Sequence, residues 1–177
     1  MGTIGKLLIM LTLAAGAKAG MLIAPETAMK LAFGAEASVT KKSRMLNDAQ
    51  IKEVAAIAKE KPGDKIYRVY LAEAAGKTLG TGILLSRKVR TKNAAVLYMI
   101  APGGTVKRIE IVAFSEPPEY LPRPEYLAHF EGKRADDRLQ VGDTVPMLSG
   151  ATLSARTVTD GARLALALYE VLYGERK

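Results

Sequence analysis

The middle of the chain is built of strand-like segments joined by turns only a few residues long, and such turns connect antiparallel neighbours. Ile66-Tyr67-Arg68-Val69-Tyr70-Leu71 has strand-like alternation, and Ala74-Ala75-Gly76-Lys77 supplies a turn. Residues 78–85 then return with Gly80 and Gly82 inside the run. A second pair, residues 95–100 and 105–114, is joined across Pro102-Gly103-Gly104. Helix-like patterns come before and after these segments rather than between them. The expected fold class is therefore α+β: an antiparallel sheet of about four strands packed with N-terminal and C-terminal helices. With 177 residues the chain can bury one sizeable core and is too short for two comfortable ones.

The flanking segments carry ordinary helix punctuation. Pro25 suits a first helical position, and Ala28, Leu31, Ala32 and Phe33 form a short apolar face that Gly34 stops. Residues 34–46 read as connector. Asn47-Asp48-Ala49-Gln50 forms a capping box, followed by Ile51, Val54, Ile57 and Ala58 at helical spacing until Pro62-Gly63. Beyond the sheet, residues 116–124 are polar and marked by prolines. Pro124 opens a short helix over 125–131, with Tyr126 and Phe130 as core and His129 on its surface. Residues 133–148 read as linker. The last helix is expected over 155–173, buried along one side through Val158, Ala162, Ala165, Leu168 and Leu172.

The N-terminus has the pattern of an export signal. Lys6 precedes Leu7-Leu8-Ile9-Met10-Leu11-Thr12-Leu13-Ala14-Ala15, and Ala17-Lys18-Ala19 has the small-x-small form of a cleavage site. Residues 1–24 are read as a cleaved signal peptide or a retained membrane anchor, and 25–177 as the functional domain. Either way that domain is expected to be extracytoplasmic, in a periplasm or on the outer face of the cytoplasmic membrane. Cysteine is absent, which excludes disulfides, thiolate zinc and cysteine-bound iron–sulfur clusters. A single histidine leaves little room for a histidine-built metal site. Redox work would therefore need an organic cofactor.

The formal charge is +8, and +6 once residues 1–19 with Lys6 and Lys18 are set aside. Basic residues gather at Lys41-Lys42-Ser43-Arg44 and at Arg87-Lys88-Val89-Arg90-Thr91-Lys92. No aromatic residues are interleaved with them for base stacking, so nucleic acid is not an expected partner. The clusters read as solvated loop and strand edge, as attraction to anionic lipid headgroups, or as contact with an acidic redox partner. No nucleophile–histidine–acid arrangement and no glycine-rich dinucleotide fingerprint is present, which counts against hydrolysis and against a free-standing flavin reductase.

The chemistry points instead to Ser149-Gly150-Ala151-Thr152-Leu153-Ser154, just ahead of the last helix. A small-residue loop with hydroxyls that opens onto a helix start is a phosphate cradle. The first backbone N–H groups of a helix lack partners within it, and the dipole there favours negative charge. The competing reading is a helix-capping loop with no ligand.

These residues resemble the flavin-attachment motif of the exported FMN-binding domain family, which includes the G subunit of the Rnf electron-transport complex and the C subunit of the sodium-translocating NADH:quinone oxidoreductase. The resemblance spans most of the exported part in order: the alanine-rich helix at 28–33, Leu46-Asn47-Asp48-Ala49-Gln50, Gly80 and Gly82, Gly104-Thr105-Val106, Glu116 before a proline, Phe130-Glu131-Gly132-Lys133, and the Gly150-Ala151-Thr152-Leu153-Ser154 run. It implies that a flavin transferase joins the FMN phosphate to Thr152 Oγ1 through a phosphoester. Its charge would be met by the helix N–H groups, with Ser154 as N-cap and Arg156 as counter-charge. Gly150 and Ala151 would allow close approach, while Glu116 and Tyr120 would wall the flavin ring. The chain departs from the family pattern at Pro146, where an aspartate is usual, and the nearest acid is Asp143. The implied function is an extracytoplasmic electron carrier, rather than a stand-alone enzyme, that relays electrons with membrane redox subunits or exported carriers such as cytochromes. The alternative is a non-redox envelope binding or sensory module with the same fold, binding FMN non-covalently or not at all.

Overall fold

The computed structural model describes residues 20–174; residues 1–19, most of the expected leader, lie outside them. Five strands form one sheet in the order in which they occur, each antiparallel to the next: β1 (Ser38–Met45), β2 (Ile66–Ala74), β3 (Lys77–Lys88), β4 (Asn93–Ala101) and β5 (Thr105–Phe114). The α+β class holds, and the four expected strands are all present. The addition is β1, which occupies the stretch read as connector and pairs with β2 from Ser38↔Glu73 to Met45↔Ile66. Its sequence, SVTKKSRM, is too polar for a core strand. As an edge strand it needs only one neighbour, and exposed lysines on a free edge discourage pairing with another chain.

Helix α1 (Pro25–Phe33) lies on one face of the sheet over Tyr70, Ala72, Leu97, Met99 and Val112. The two glycines of β3 make room for it. A Cβ on Gly80 would stand 2.1 Å from Phe33 Cζ, and one on Gly82 would stand 2.5 Å from Met29 Sδ. Ahead of α1 the chain runs along the free edge of β5. The Phe114 N–H donates to Gly20 O at 2.8 Å, and the Leu22 N–H to Val112 O at 2.9 Å.

The opposite face carries the long final helix, α4 (Thr152–Tyr173), with α2 (Asp48–Ala58) packed against that helix. The capping box of α2 forms as expected. Gln50 N–H donates to Asn47 Oδ1 at 2.8 Å, and Asn47 N–H to Gln50 Oε1 at 3.0 Å. Between β5 and α4 come a 3₁₀ turn (Pro118–Tyr120) and α3 (Pro124–Ala128), shorter than expected. Tyr126 and Phe130 are core, and His129 is exposed in the turn after α3.

Helix α4 differs from its expected form in two ways. It begins at Thr152, three residues early. It is also buried nearly all round, with Leu164, Leu166, Ala167 and Val171 enclosed as well as the expected face. The cause is a second layer: α2 and the 135–148 segment cover the side away from the sheet, and Arg163 Nη1 donates to Leu139 O at 2.8 Å. On the sheet side Tyr98 is fully buried, and its hydroxyl donates to Val158 O at 3.1 Å. Among the described residues no helix is long and apolar enough to cross a membrane.

Candidate functional site

The register places Met45, Ile66, Lys88, Asn93 and Phe114 at one end of the sheet. Helix α4 starts there, with Thr157 Oγ1 donating to Lys88 O at 3.3 Å. The loop into it turns at Gly150, whose φ of +77° is a left-handed conformation that glycine adopts at low cost. Ala151 N–H donates to Leu148 O at 3.1 Å, and the first helical bond runs from Ala155 N–H to Ala151 O at 3.0 Å. Ala151 is therefore the N-cap, and its side chain cannot accept a hydrogen bond. The N–H groups of Thr152, Leu153 and Ser154 have no partner among the described residues. Thr152 itself is half-buried at the first helical position, while Ser149, Gly150, Leu153 and Arg156 are exposed. Arg156 makes no ion pair among the described residues, which leaves it available as counter-charge.

Ser154 is not the N-cap. With the helix starting at Thr152 it is the third helical residue, buried, and its Oγ donates to Tyr120 O at 2.6 Å. The hydroxyl is spent on joining α4 to the 3₁₀ turn. The ring of Tyr120 is half-buried and carries the Arg90 guanidinium 4.5 Å above its centroid, a cation–π contact. Arg90 belongs to the basic cluster read as a solvated edge, and the fold brings it beside the start of α4. No local sequence signal marks it, because its neighbour lies thirty residues away.

Glu116 explains how Arg90 is held. Its Oε1 accepts the N–H groups of Arg90 at 3.0 Å, Thr91 at 2.6 Å and Lys92 at 2.8 Å. Thr91 Oγ1 lies 3.3 Å from the other carboxylate oxygen. The carboxyl thus faces the β3–β4 turn, not open space, and its bearing on a ligand beside Tyr120 is through Arg90. These backbone donors, Lys92 foremost, hold its pKa at about 2, against an ordinary value of 4.5. A depressed folded-state pKa contributes stability that is full above the ordinary value and is lost as pH falls towards 2. Glu116→Gln should therefore lower the urea midpoint at pH 7, with the gap from wild type closing between pH 4.5 and 2. A gap that does not change with pH would mean the carboxylate is not the anchor of the turn.

Two large clefts lie elsewhere. One of about 1360 Å³ runs between α2, residues 135–140 and the later turns of α4; another of about 800 Å³ lies between β2 and the end of β3. Neither is lined by residues 149–154. Thr152 lies outside both, half-buried at the start of α4, which Ser154 joins to Tyr120 and so to Arg90.

No protein-family model matches the chain, and no curated protein matches it. Among solved structures, the crystal structure of Shewanella oneidensis NqrC is similar, with a TM-score of 0.53 and 19% sequence identity over 77% of this chain and 82% of that one. At that identity the likeness concerns the fold, and the fold of this chain is that of NqrC.

Proposed function

We propose that this protein is an extracytoplasmic flavoprotein electron carrier that holds FMN through a phosphoester to Thr152 Oγ1. The observation that carries the reading is the place of the motif threonine. It stands at the first position of a rigidly buried helix whose leading N–H groups no side chain caps, on a fold shared with NqrC.

The residues present fit the group. The free N–H groups of Thr152, Leu153 and Ser154, together with Arg156, suit the remaining negative charge of a phosphodiester. Nothing lies within 4 Å of a Cβ built on Gly150, so the loop leaves space at the attachment point. The Arg90 guanidinium, stacked 4.5 Å over the Tyr120 ring, offers a planar cation near the start of α4. Bound there, FMN would supply two-electron uptake with single-electron release. The chain's own part is to fix the phosphate, exclude water from one ring face and leave an edge open to partners. Thr152 lines neither of the two large clefts, and a site less enclosed than the clefts that hold freely bound cofactors favours a covalent tether. Outside the cytoplasm, lost cofactor could not be recovered.

The partners under this reading are a flavin transferase, membrane redox subunits and exported carriers such as cytochromes. Asp143, the acid nearest Pro146, is engaged by Arg138 at 3.3 Å in a surface ion pair. Pro146 motivates the second reading, in which FMN binds without a covalent bond or the domain serves a non-redox envelope role. Intact mass of the protein made together with a flavin transferase separates the two. The carrier reading expects an increment of one FMN less one water, and a yellow protein. A colourless protein that takes up no flavin sinks it, and colour that dialyses away sinks the covalent link.

A further inference from the structure

We infer that the end of the sheet where α4 begins is a docking face for an anionic lipid surface. Three independent features meet there. The first is charge. Lys88, Arg90, Lys92 and Arg156 are exposed and make no ion pair among the described residues. Elsewhere Arg108, Arg134, Arg138 and Arg163 each have a carboxylate partner, while Lys41, Lys42, Lys77 and Lys107 are exposed without one among the described residues; what sets this end apart is that its cations meet protruding apolar side chains. Several acids at this end are already engaged. Glu116 is turned inward onto the β3–β4 turn, Glu60 is taken by Arg87 at 2.7 Å, and Asp48 faces Lys65. Among the described residues, Glu119 on the 3₁₀ turn and Asp64, two residues before Ile66, are exposed acids at this end in no ion pair, so they offset the four in part.

The second feature is apolar protrusion. Met45 and Ile66 pair across β1 and β2 at this end and are 73% and 60% exposed. Leu153, on the first turn of α4, projects as well. Cations interspersed with protruding apolar side chains suit the boundary between headgroups and acyl chains, where both kinds of contact are satisfied together.

The third is where the chain enters. Gly20 is hydrogen-bonded to Phe114 at this same end. The apolar run Leu7 to Ala15 closes five residues earlier, at most about 18 Å of extended chain. A bilayer holding that run would therefore lie next to this end and not the opposite one. Arg90 and Arg156 are also the cations assigned to the flavin, so Lys88 and Lys92 carry the docking charge whether or not flavin is bound, and failure of the docking would leave attachment at Thr152 untouched.

The full chain, mixed with vesicles of phosphatidylcholine alone or with added phosphatidylglycerol, provides the test. Acetylation of Lys88 and Lys92, read by mass spectrometry, should fall several-fold on the anionic vesicles only. Lys77, the first residue of β3 at the far end of the sheet, is the internal control and should label equally on both. Lys88→Gln with Lys92→Gln should also reduce the excess partition onto anionic vesicles by roughly 25-fold, about fivefold for each lysine. Equal labelling of Lys88 and Lys92 on both vesicles overturns the inference and leaves an acidic protein surface as the occupant. Protection that extends to Lys77, or an anionic excess that the double variant retains, overturns it too.

Discussion

A Thr152→Ala variant made alongside a flavin transferase should show no flavin fluorescence on a denaturing gel, where the wild type is bright and Ser149→Ala is unchanged. The contrast is sharp because the substitution is chemically severe and structurally mild. Thr152 occupies the first helical position, is half-buried and makes no side-chain hydrogen bond among the described residues. Alanine is the better helix former, so stability should move by no more than about 0.5 kcal/mol. Loss of the bound flavin would thus report loss of the acceptor oxygen, not loss of the fold, and an unchanged thermal melt checks this. Thr152→Ser keeps a hydroxyl at the same place and should regain fluorescence. Bright Thr152→Ala protein would move the attachment elsewhere.

The second large effect lies between α4 and the sheet. Gly161→Ala should destabilise the protein by about 2–4 kcal/mol, although alanine favours a helix over glycine by about 1 kcal/mol. The added Cβ would lie 2.0 Å from the Tyr98 hydroxyl and 2.7 Å from its Cζ. Tyr98 is fully buried and cannot swing aside without breaking its bond to Val158 O. Overpacking costs about 1–3 kcal/mol, and a buried hydroxyl left without its partner costs about as much again, so together they outweigh the helix gain. For a domain of this size the melting temperature should fall by roughly 10 °C. Adding Tyr98→Phe removes the nearest atom but not Cζ, so the double variant should recover part of the loss. Urea unfolding of the two single variants and the pair would give the coupling. Additive losses would mean that the two side chains do not compete for the same space.

Both effects converge on how α4 is held. Its N-terminal turn is tied to the 3₁₀ turn by Ser154 and to β3 by Thr157, and its middle is seated on Tyr98. A helix start fixed at three points can present Thr152 at a constant position relative to Tyr120 and Arg90. Under the proposed carrier role, that constancy would set the distance from the flavin to its acceptor.

The sequence alone determined the features whose causes are local. The capping box at Asn47 and Gln50 and the turns at Gly76 and Gly103 each depend on neighbours a few residues apart, and all are in place. Tertiary structure decided what depends on distant partners. β1 is a strand because β2 offers it a ladder, not because its own polar residues favour one. Ser154 looks like an N-cap when read beside Thr152, yet Tyr120, thirty-four residues earlier, claims its hydroxyl. Glu116 meets Arg90, Thr91 and Lys92 only when β3, β4 and β5 bring their ends together. Spacing along the chain records turns and helix faces, because those bonds close within a few residues. It carries no trace of which loops share an end of the sheet, since strand register and layer packing settle that.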